Sequence, residues 1–444
     1  MGYIKRFIDK DLIKWKDSEG RKPLLLRGAR QVGKSSTVRE FGKTFDYFIE
    51  INFEKKANQD IKQLFESDLS VRQICEELSL KVDTPIIPGR TLLFLDEIQA
   101  SIPTISLLRY FYEDYPDLHV VAAGSLLEFA LENLPSFGVG RIRSMFLYPF
   151  SFEEFLRAMN LNMLVDALQK ASPENPLSDI IHKRFVQYLI RFIIIGGMPE
   201  VVSTYVKTES LLECQHVLDD LMLSLYDDFS KYKSRVPTAR LREVFSSVIE
   251  QTGKKFVYSQ ADSNSNLQQI KESVSLLELA GIIYPVTHTA ATGIPLAATT
   301  NTKFRKYLIY DTGILQRFLR LDVSQILPGD GITQINKGAL AELFVGLELL
   351  KAAPCTNPTQ LYYWQRFKRG SEAEVDYIIQ DNQSVVPVEV KSGTKGTMQS
   401  LFLFLSEKQY PFGIRTSQEN FGIMPKIKIY PLYAISKVGK CGSI

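Results

Sequence analysis

Continuous apolar runs in the first third of the chain predict buried strands. They cover Leu24–Leu26, Leu92–Leu95 and most of Leu118–Ser125, and none alternates with polar residues. A strand in a parallel sheet is covered on both faces and is apolar throughout, whereas a half-exposed strand alternates. The first and third runs lead into helix-compatible stretches, so the pattern predicts an α/β core over residues 1–150.

Helical spacing of apolar residues dominates the next part of the chain, as in IIHKRFVQYLIRFIII and LLECQHVLDDLMLSLYDDFSKY. Gly196, Gly197 and Pro199 interrupt this pattern, because neither residue type suits a helix interior. No residue in this region has a diagnostic chemistry. The pattern alone therefore predicts a helical connector over residues 151–235.

Residues 236–325 follow a different order, in which two helices precede two strands. The second helix has one apolar face, formed by Leu267, Ile270, Val274, Leu277 and Leu279. Helix, helix and a strand pair is the order of a winged helix-turn-helix. The cations expected to meet phosphates, if this module enters a DNA groove, are Lys271, Lys303, Arg305 and Lys306.

DNA binding is one of two open functions for this winged-helix-like module. Its second helix has a single cation, Lys271, beside the acidic Glu272 and Glu278. Winged helices also serve as protein-interaction modules. The sequence leaves contact with DNA and contact with protein equally open.

A glycine-bounded loop follows the first apolar run and has the pattern Gly28-x-x-x-x-Gly33-Lys34-Ser35. The glycines let backbone N–H groups surround phosphate oxygens, and the following helix N-terminus adds partial positive charge. Lys34 is expected to reach the β- and γ-phosphates of ATP, and Ser35 to hold Mg²⁺. The residues predicted to bind the nucleotide are Gly28, Ala29, Arg30, Gln31, Val32, Gly33, Lys34, Ser35 and Ser36.

Polar side chains end the second and third apolar runs, where open α/β sheets bind ligands. Asp96 is suited to order Mg²⁺ through water, and Glu97 to polarise the attacking water. Ser125 is expected to sense the γ-phosphate or that water. The alternative is that Ser125 caps the following helix, and the two roles are compatible.

Arg141 and Arg143 follow a glycine turn after the third run. An arginine stabilises the charge that develops in phosphoryl transfer, and it often comes from a neighbouring subunit. Arg141 is the candidate for this role, with solvation at the surface as the alternative for both arginines. An arginine supplied in this way requires a homo-oligomer.

The motifs RGARQVGKSS, FLDEIQ, AAGSLLEF, VGRIRSMFLYPFSFEEFL and IIGGMPEVV together resemble those of a prokaryotic AAA+-type P-loop ATPase family, over nearly the whole chain. The resemblance implies an AAA+ core over residues 1–150 and a helical lid over 151–235. It also implies a C-terminal domain of uncharacterised role over 326–444, similar to PD-(D/E)xK nucleases. It supports Gly28 to Ser35, Asp96 and Glu97 as site residues, and it leaves the arginine finger unassigned.

Three carboxylates and a lysine interrupt apolar elements near the C-terminus. Glu342 lies on an amphipathic helix, Asp376 in the strand-like VDYII, and Glu389 and Lys391 in VVPVEVKSG. Carboxylates that hold a divalent cation, with a lysine that positions the attacking water, are suited to phosphodiester hydrolysis. PD-(D/E)xK nucleases have the same order along the chain: a glutamate on a helix, then an aspartate, then Glu-x-Lys. Here Val375 replaces the proline that precedes the aspartate in that motif.

A surface ion-pair ladder is the alternative for these charges, and it would stabilise the fold by only about 0–1 kcal/mol. The charges interrupt apolar strands, however, and a buried charge needs a partner. We therefore expect Asp376, Glu389 and Glu342, with Lys391, to form a second site for Mg²⁺ or Mn²⁺. Glu374 is a competing acid that supports Asp376.

The amino-acid composition limits which partners and which cellular compartment are expected for this protein. Lysine and arginine number 53 against 50 aspartate and glutamate residues, so any surface for nucleic acid must be a local patch. The four cysteines lack metal-binding spacing, which is typical of a reducing compartment. No apolar run approaches the about 20 residues of a membrane span. We expect a cytoplasmic protein without membrane contact.

The sequence thus predicts an α/β multidomain ATPase with an AAA+ core, a helical lid, a winged-helix-like module and a restriction-endonuclease-like C-terminal domain. Its leading function is to couple ATP binding and hydrolysis to nucleic-acid binding or cleavage by that last domain. The alternative is a nucleotide-dependent switch or assembly protein whose C-terminal fold binds partners without cleaving nucleic acid. The pattern does not indicate a particular substrate, oligomeric state or pathway.

Overall fold

The computed structural model describes residues 2–125, 127–132, 140–233, 235–262, 264–320, 337–367, 373–381, 383–393 and 396–439. They form two compact units. The first comprises residues 1–148 with 279–281 and 355–358, and the second comprises 149–278, 282–354 and 359–444. Among the described residues, no helix combines the length and the apolar character needed to cross a membrane.

The first unit is built on a five-stranded parallel sheet with the order β2-β3-β4-β1-β5. Its strands are β1 Leu24–Arg27, β2 Tyr47–Asn52, β3 Thr91–Asp96, β4 His119–Ala123 and β5 Arg143–Phe146. Its helices are α1 Ile8–Lys16, α2 Lys34–Gly42, α3 Gln59–Phe65, α4 Val71–Val82, α5 Ile102–Asp114 and α6 Leu127–Glu132.

The predicted continuous burial of these strands is confirmed. Every residue of β3 and β4 is buried, and Leu93 and Leu95 pack with Ile74 of α4 and Leu108 of α5 in one apolar core. Burying one such side chain stabilises the fold by about 1.5–3 kcal/mol. Because all five strands run in the same direction, their carboxyl ends lie along one edge of the sheet. That edge carries the loop after β1, Asp96 and Ser125.

The second unit begins with a run of helices. Ser151 and Glu154 form a capping box at the start of α7, which satisfies backbone N–H groups that the helix leaves free. The helices are α7 Phe152–Ala158, α8 Asn162–Lys170, α9 Asp179–Ile195, α10 Pro199–Thr208, α11 Leu211–Asp228, α12 Thr238–Glu250, α13 Leu267–Leu279, α14 Thr312–Phe318, α15 Lys337–Ala352, α16 Gln399–Lys408 and α17 Ser436–Gly439. The break predicted near Gly196 separates α9 from α10.

An eight-stranded mixed sheet completes the second unit, with the order β12-β13-β11-β10-β9-β8-β6-β7. Its strands are β6 Ile283–Thr289, β7 Thr300–Ile309, β8 Leu361–Gln365, β9 Glu374–Asp381, β10 Ser384–Val390, β11 Gly413–Ser417, β12 Gly422–Met424 and β13 Ile427–Pro431. Strand β6 pairs with β7 in an antiparallel arrangement and with β8 in a parallel one.

This pairing joins strands that the sequence assigned to two different modules. The strands predicted as the wing of a separate module, β6 and β7, belong to the same sheet as the strands expected in the nuclease-like domain. The predicted boundary between residues 325 and 326 lies outside the described residues. The side chains of β7 therefore face elements that the sequence assigned to a different module.

Candidate functional site

The loop between β1 and α2 has the backbone that a phosphate-binding loop requires. It contains the predicted Gly28, Ala29, Arg30, Gln31, Val32 and Gly33, and α2 begins with Lys34, Ser35 and Ser36. Gly28 and Gly33 have φ angles of 146° and 97°, which favour glycine. A Cβ atom on Gly28 would also lie 2.2 Å from the backbone oxygen of Leu147. Both the conformation and the close approach thus explain this glycine.

Lys34 is held inside the loop. Its Nζ donates hydrogen bonds to the backbone oxygens of Gly28 at 2.9 Å and Ala29 at 2.7 Å. Burial lowers the pKa of Lys34 to about 8, although Glu97 and Asp96 favour its charged form. At neutral pH the side chain remains mostly cationic. The loop therefore holds a positive charge where the triphosphate is expected.

Asp96 and Ser35 lie together at the end of β3. The Ser35 hydroxyl donates to both carboxylate oxygens of Asp96 at 3.1 Å, and Asn52 Nδ2 donates to Oδ2 at 3.2 Å. Burial is the main cause that raises the pKa of Asp96, followed by the charge of Glu97. A hydroxyl and a carboxylate are the hard oxygen ligands that Mg²⁺ prefers. These two residues fit the predicted role in holding Mg²⁺ with ATP.

Glu97 accepts three hydrogen bonds. Its Oε2 receives them from Gln99 Nε2 at 2.7 Å, from the Ser125 backbone N–H at 3.2 Å and from the Ser125 hydroxyl at 3.1 Å. Burial favours the neutral acid, but these hydrogen bonds outweigh it and hold the pKa of Glu97 below its usual value. Glu97 also has a left-handed backbone with φ 49°, which directs the chain into the turn before α5. The structure thus brings the predicted Glu97 and Ser125 into direct contact.

Sequence reasoning missed Gln99 and Asn52 as members of this group. Gln99 follows Glu97 by two residues in FLDEIQ, so local spacing contained a signal for its contact with Glu97. A Cβ atom on Gly124 would lie 2.1 Å from Gln99 Oε1, and this glycine therefore makes room for the amide. Asn52 reaches Asp96 only because β2 lies beside β3, and the sequence gives no register for that pair.

The predicted arginines lie outside this group of contacts. Arg141 forms an ion pair with Glu113 of α5, and Arg143 begins β5 with an exposed side chain. A different arginine, Arg27 at the end of β1, pairs with Glu128 of α6. The arginine finger stays a prediction.

The second unit contains an acidic cluster, which we define as Glu342, Glu374, Asp376 and Glu389. Lys306 of β7 enters this cluster with a side chain that is only 1% exposed. Its Nζ donates to Glu342 Oε1 at 2.9 Å and also to Glu374. The expectation that Lys306 meets phosphates at a wing surface is therefore wrong, because β7 directs its ammonium into the interior.

The other half of the acidic cluster contains Asp376, Glu389 and Lys391. Lys391 Nζ donates to Glu389 Oε1 at 2.6 Å, and the Val390 N–H donates to Asp376 Oδ2 at 2.7 Å. Glu389 Oε2 is buried and has no hydrogen-bond partner among the described residues. Burial, followed by the charge of Asp376, raises the pKa of Glu389 to about 7.

The structure thus brings together the residues predicted for a second metal site. It also adds the positive charge of Lys306, which the prediction did not include. Burial raises the pKa of Glu342 and of Asp376 as well, and each lies within electrostatic range of Lys306. Within the described ranges, no three or more His, Cys, Asp or Glu side chains are placed to hold a metal ion. The ammonium of Lys306 supplies positive charge that the sequence assigned to a divalent cation.

Comparisons with known proteins agree with the geometry of the first unit. Residues 20–156 match the AAA domain family, residues 186–325 match a domain of unknown function, DUF8612, and residues 337–435 match another, DUF4143. No curated protein matches the sequence.

The solved structures similar to this chain include an ORC1 protein and a signal transduction ATPase. The ORC1 protein of Aeropyrum pernix, solved in complex with DNA, is 13% identical over 73% of this chain and 95% of that one, with a TM-score of 0.31. A signal transduction ATPase with numerous domains (STAND) and a tetratricopeptide repeat sensor, from Pyrococcus horikoshii, is 12% identical. That match covers 78% of this chain but only 45% of the other, with a TM-score of 0.27. The family match and the parallel sheet agree, and residues 20–156 therefore carry an AAA domain of the P-loop ATPase type.

Proposed function

We propose that this chain binds ATP with Mg²⁺ and hydrolyses it at the loop between β1 and α2. The observation that supports this most directly is the convergence of Lys34, Ser35, Asp96 and Glu97 at one edge of the sheet. A cation, a hydroxyl and two carboxylates at the start of a helix are the groups that phosphoryl transfer needs.

Each residue has a defined part in this proposal. Backbone N–H groups between Gly28 and Ser35 surround the phosphates, and Lys34 exchanges its two carbonyl partners for β- and γ-phosphate oxygens. Ser35 and Asp96 would hold Mg²⁺, and the ion would supply positive charge against the phosphates. Glu97 accepts a hydrogen bond from the attacking water. Because its pKa is low, it acts as a charged acceptor that orients the water and not as a strong base.

The test is phosphate release by the purified full-length chain with ATP and Mg²⁺. Lys34→Ala is expected to abolish hydrolysis, because it removes the cation that the phosphates meet. Lys43→Ala is a matched control, since Lys43 lies at the exposed end of the same helix and pairs with Glu40. Equal rates for the Lys34 variant and the control would reject the site.

A second proposal concerns the acidic cluster. We infer that the C-terminal part of the second unit binds nucleic acid without cleaving it, in preference to the nuclease activity that its motif order implies. The observation that argues against cleavage is Lys306, whose ammonium lies between Glu342 and Glu374 and neutralises part of the cluster. Nucleic-acid binding is proposed from the motif order alone. We assign no hydrolytic step to a metal there.

Cleavage assays distinguish the two alternatives. Labelled DNA and RNA are incubated with an excess of the chain and with Mg²⁺ or Mn²⁺, and wild type is compared with Asp376→Ala. We expect the same absence of cleavage from both. Cleavage by wild type that Asp376→Ala eliminates would establish the nuclease. Nucleotide turnover measured with and without the same nucleic acids tests whether the two units are coupled.

A further inference from the structure

An exposed aromatic side chain lies on the eight-stranded sheet, supported by two other rings. Phe367 follows β8 and is 55% exposed. Its ring centroid lies 4.7 Å from that of Phe304 on β7 and 5.0 Å from that of His288 on β6. We call these three residues the ring cluster. Contacts with Phe304 and His288 hold the Phe367 ring in place. A ligand that binds the exposed part of this ring therefore loses little entropy in ordering the side chain.

One lysine lies against the ring cluster, and a second contributes positive charge to it. The Lys255 ammonium lies 3.9 Å from the centroid of Phe304. Burial is the main cause that lowers the pKa of His288, and the positive charges of Lys408 and Lys255 lower it further. Neither lysine has an ion-pair partner within the described ranges. The surface therefore combines aromatic rings with uncompensated positive charge.

The ring cluster is continuous with the acidic cluster through one buried tyrosine. The Tyr363 ring on β8 lies 5.6 Å from His288, and Lys306 Nζ lies 5.2 Å from the centroid of Tyr363. The same face of the sheet thus carries cations and rings at one end and carboxylates at the other. The exposed end with the rings and cations is the one that attracts a polyanion.

We propose that the ring cluster, with Lys255 and Lys408, is a binding site for single-stranded nucleic acid in which an unpaired base stacks on Phe367. This rests on the nucleic-acid binding proposed above and adds the class of ligand and its position. Every base has an aromatic face, and stacking on a side chain is a sequence-tolerant way to hold a single strand. The lysines pair with the flanking phosphates. A duplex fits poorly, because its bases already stack on one another.

Fluorescence of a short single strand containing 2-aminopurine tests the proposal, because stacking quenches this base. The full-length chain is titrated in the presence of EDTA, so that binding is measured without cleavage. DNA and RNA strands are used in parallel, and a duplex of the same sequence is the reference. We expect quenching by wild type with both single strands and weaker binding of the duplex.

Variants locate the site. Phe367→Ala is expected to weaken binding about 5- to 150-fold, the range found when a stacking side chain is removed. Phe367→Trp should retain both affinity and quenching. Phe402→Ala is the control, because Phe402 is an exposed phenylalanine on α16 of the same unit. Lys255→Ala should lower the slope of log affinity against log salt by about 0.7, as expected for one phosphate contact with a single strand.

The outcomes separate this inference from the proposed function. Equal affinities for Phe367→Ala and Phe402→Ala, beside tight binding by wild type, would overturn the ring cluster as the site and leave nucleic-acid binding intact. Tighter binding of the duplex would exclude base stacking. If wild type binds neither single strands nor duplex, nucleic-acid binding itself fails. Loss of a dimer in Phe367→Ala would instead identify the surface as a contact between copies of this chain.

Discussion

Lys306→Met removes the buried ammonium from the acidic cluster and keeps most of the side-chain volume. In wild type, Lys306 bonds Glu342 and Glu374, and Asp376 also favours its charged form. Breaking a buried ion pair by removing one partner costs about 3–5 kcal/mol, because a buried charge is left without compensation. The free energy of unfolding of a domain is about 5–15 kcal/mol, so this loss is a large fraction of the stability of the second unit.

The assay uses the two tryptophans of the chain, one in each unit. Trp364 lies buried on β8 of the second unit, and Trp15 lies buried in α1 of the first unit. In a Trp15→Phe background, urea unfolding followed by fluorescence reports on the second unit through Trp364. Lys306→Met should lower the unfolding midpoint strongly. Lys306→Met with Glu342→Gln should recover part of the loss, because the second change removes one uncompensated carboxylate.

The matched control is Lys303→Met, three residues earlier on the same strand. Lys303 is exposed, so this change should alter stability by no more than about 0.5 kcal/mol. If Lys306→Met unfolds at the same urea concentration as Lys303→Met, the ammonium does not balance the carboxylates. That result would remove the observation that favours binding over cleavage at the acidic cluster.

Two further predictions concern the nucleotide site. Gln99→Ala removes a hydrogen bond that lowers the pKa of Glu97, so that pKa should rise toward the value that burial favours. Because Glu97 acts as a carboxylate, the acidic limb of the profile of kcat against pH should move to higher pH, and an unmoved limb would contradict this role. Gly28→Ala should eliminate ATP binding and destabilise the first unit, since its Cβ would lie 2.2 Å from the Leu147 oxygen. Gly2→Ala, where the added Cβ meets open space, is the control, and normal ATP binding by the Gly28 variant would refute the loop geometry.

The proximity of the residues proposed to bind nucleotide could be predicted from sequence because most of them are neighbours in the chain. The loop, its glycines and Lys34 lie within a few residues of one another, and the apolar run of β3 ends directly at Asp96 and Glu97. Parallel strands then bring these ends together without further information. Side chains such as Asn52, which reach the site through strand register, could not be placed in this way.

The acidic cluster was predicted only in part, because its partners are distant in sequence. Asp376 and Glu389 lie on neighbouring strands and Lys391 directly follows the second of them, so their proximity follows from a hairpin. Lys306 lies 36 residues from Glu342 and 68 from Glu374. Lys306 is buried because β6 pairs with β8, so that β7 belongs to the same sheet. The hydrophobic pattern of the sequence does not specify this pairing. Assigning β7 to a separate wing therefore placed Lys306 at the surface.

The central claim for this protein is that the loop between β1 and α2 binds ATP. Calorimetry of wild type and Lys34→Ala with Mg²⁺ and a non-hydrolysable ATP analogue measures this binding directly, independently of turnover. We predict saturable binding of one nucleotide per chain by wild type and a loss of most of that affinity in Lys34→Ala. Absence of binding by wild type, or equal affinity in the variant, would contradict the assignment of this site.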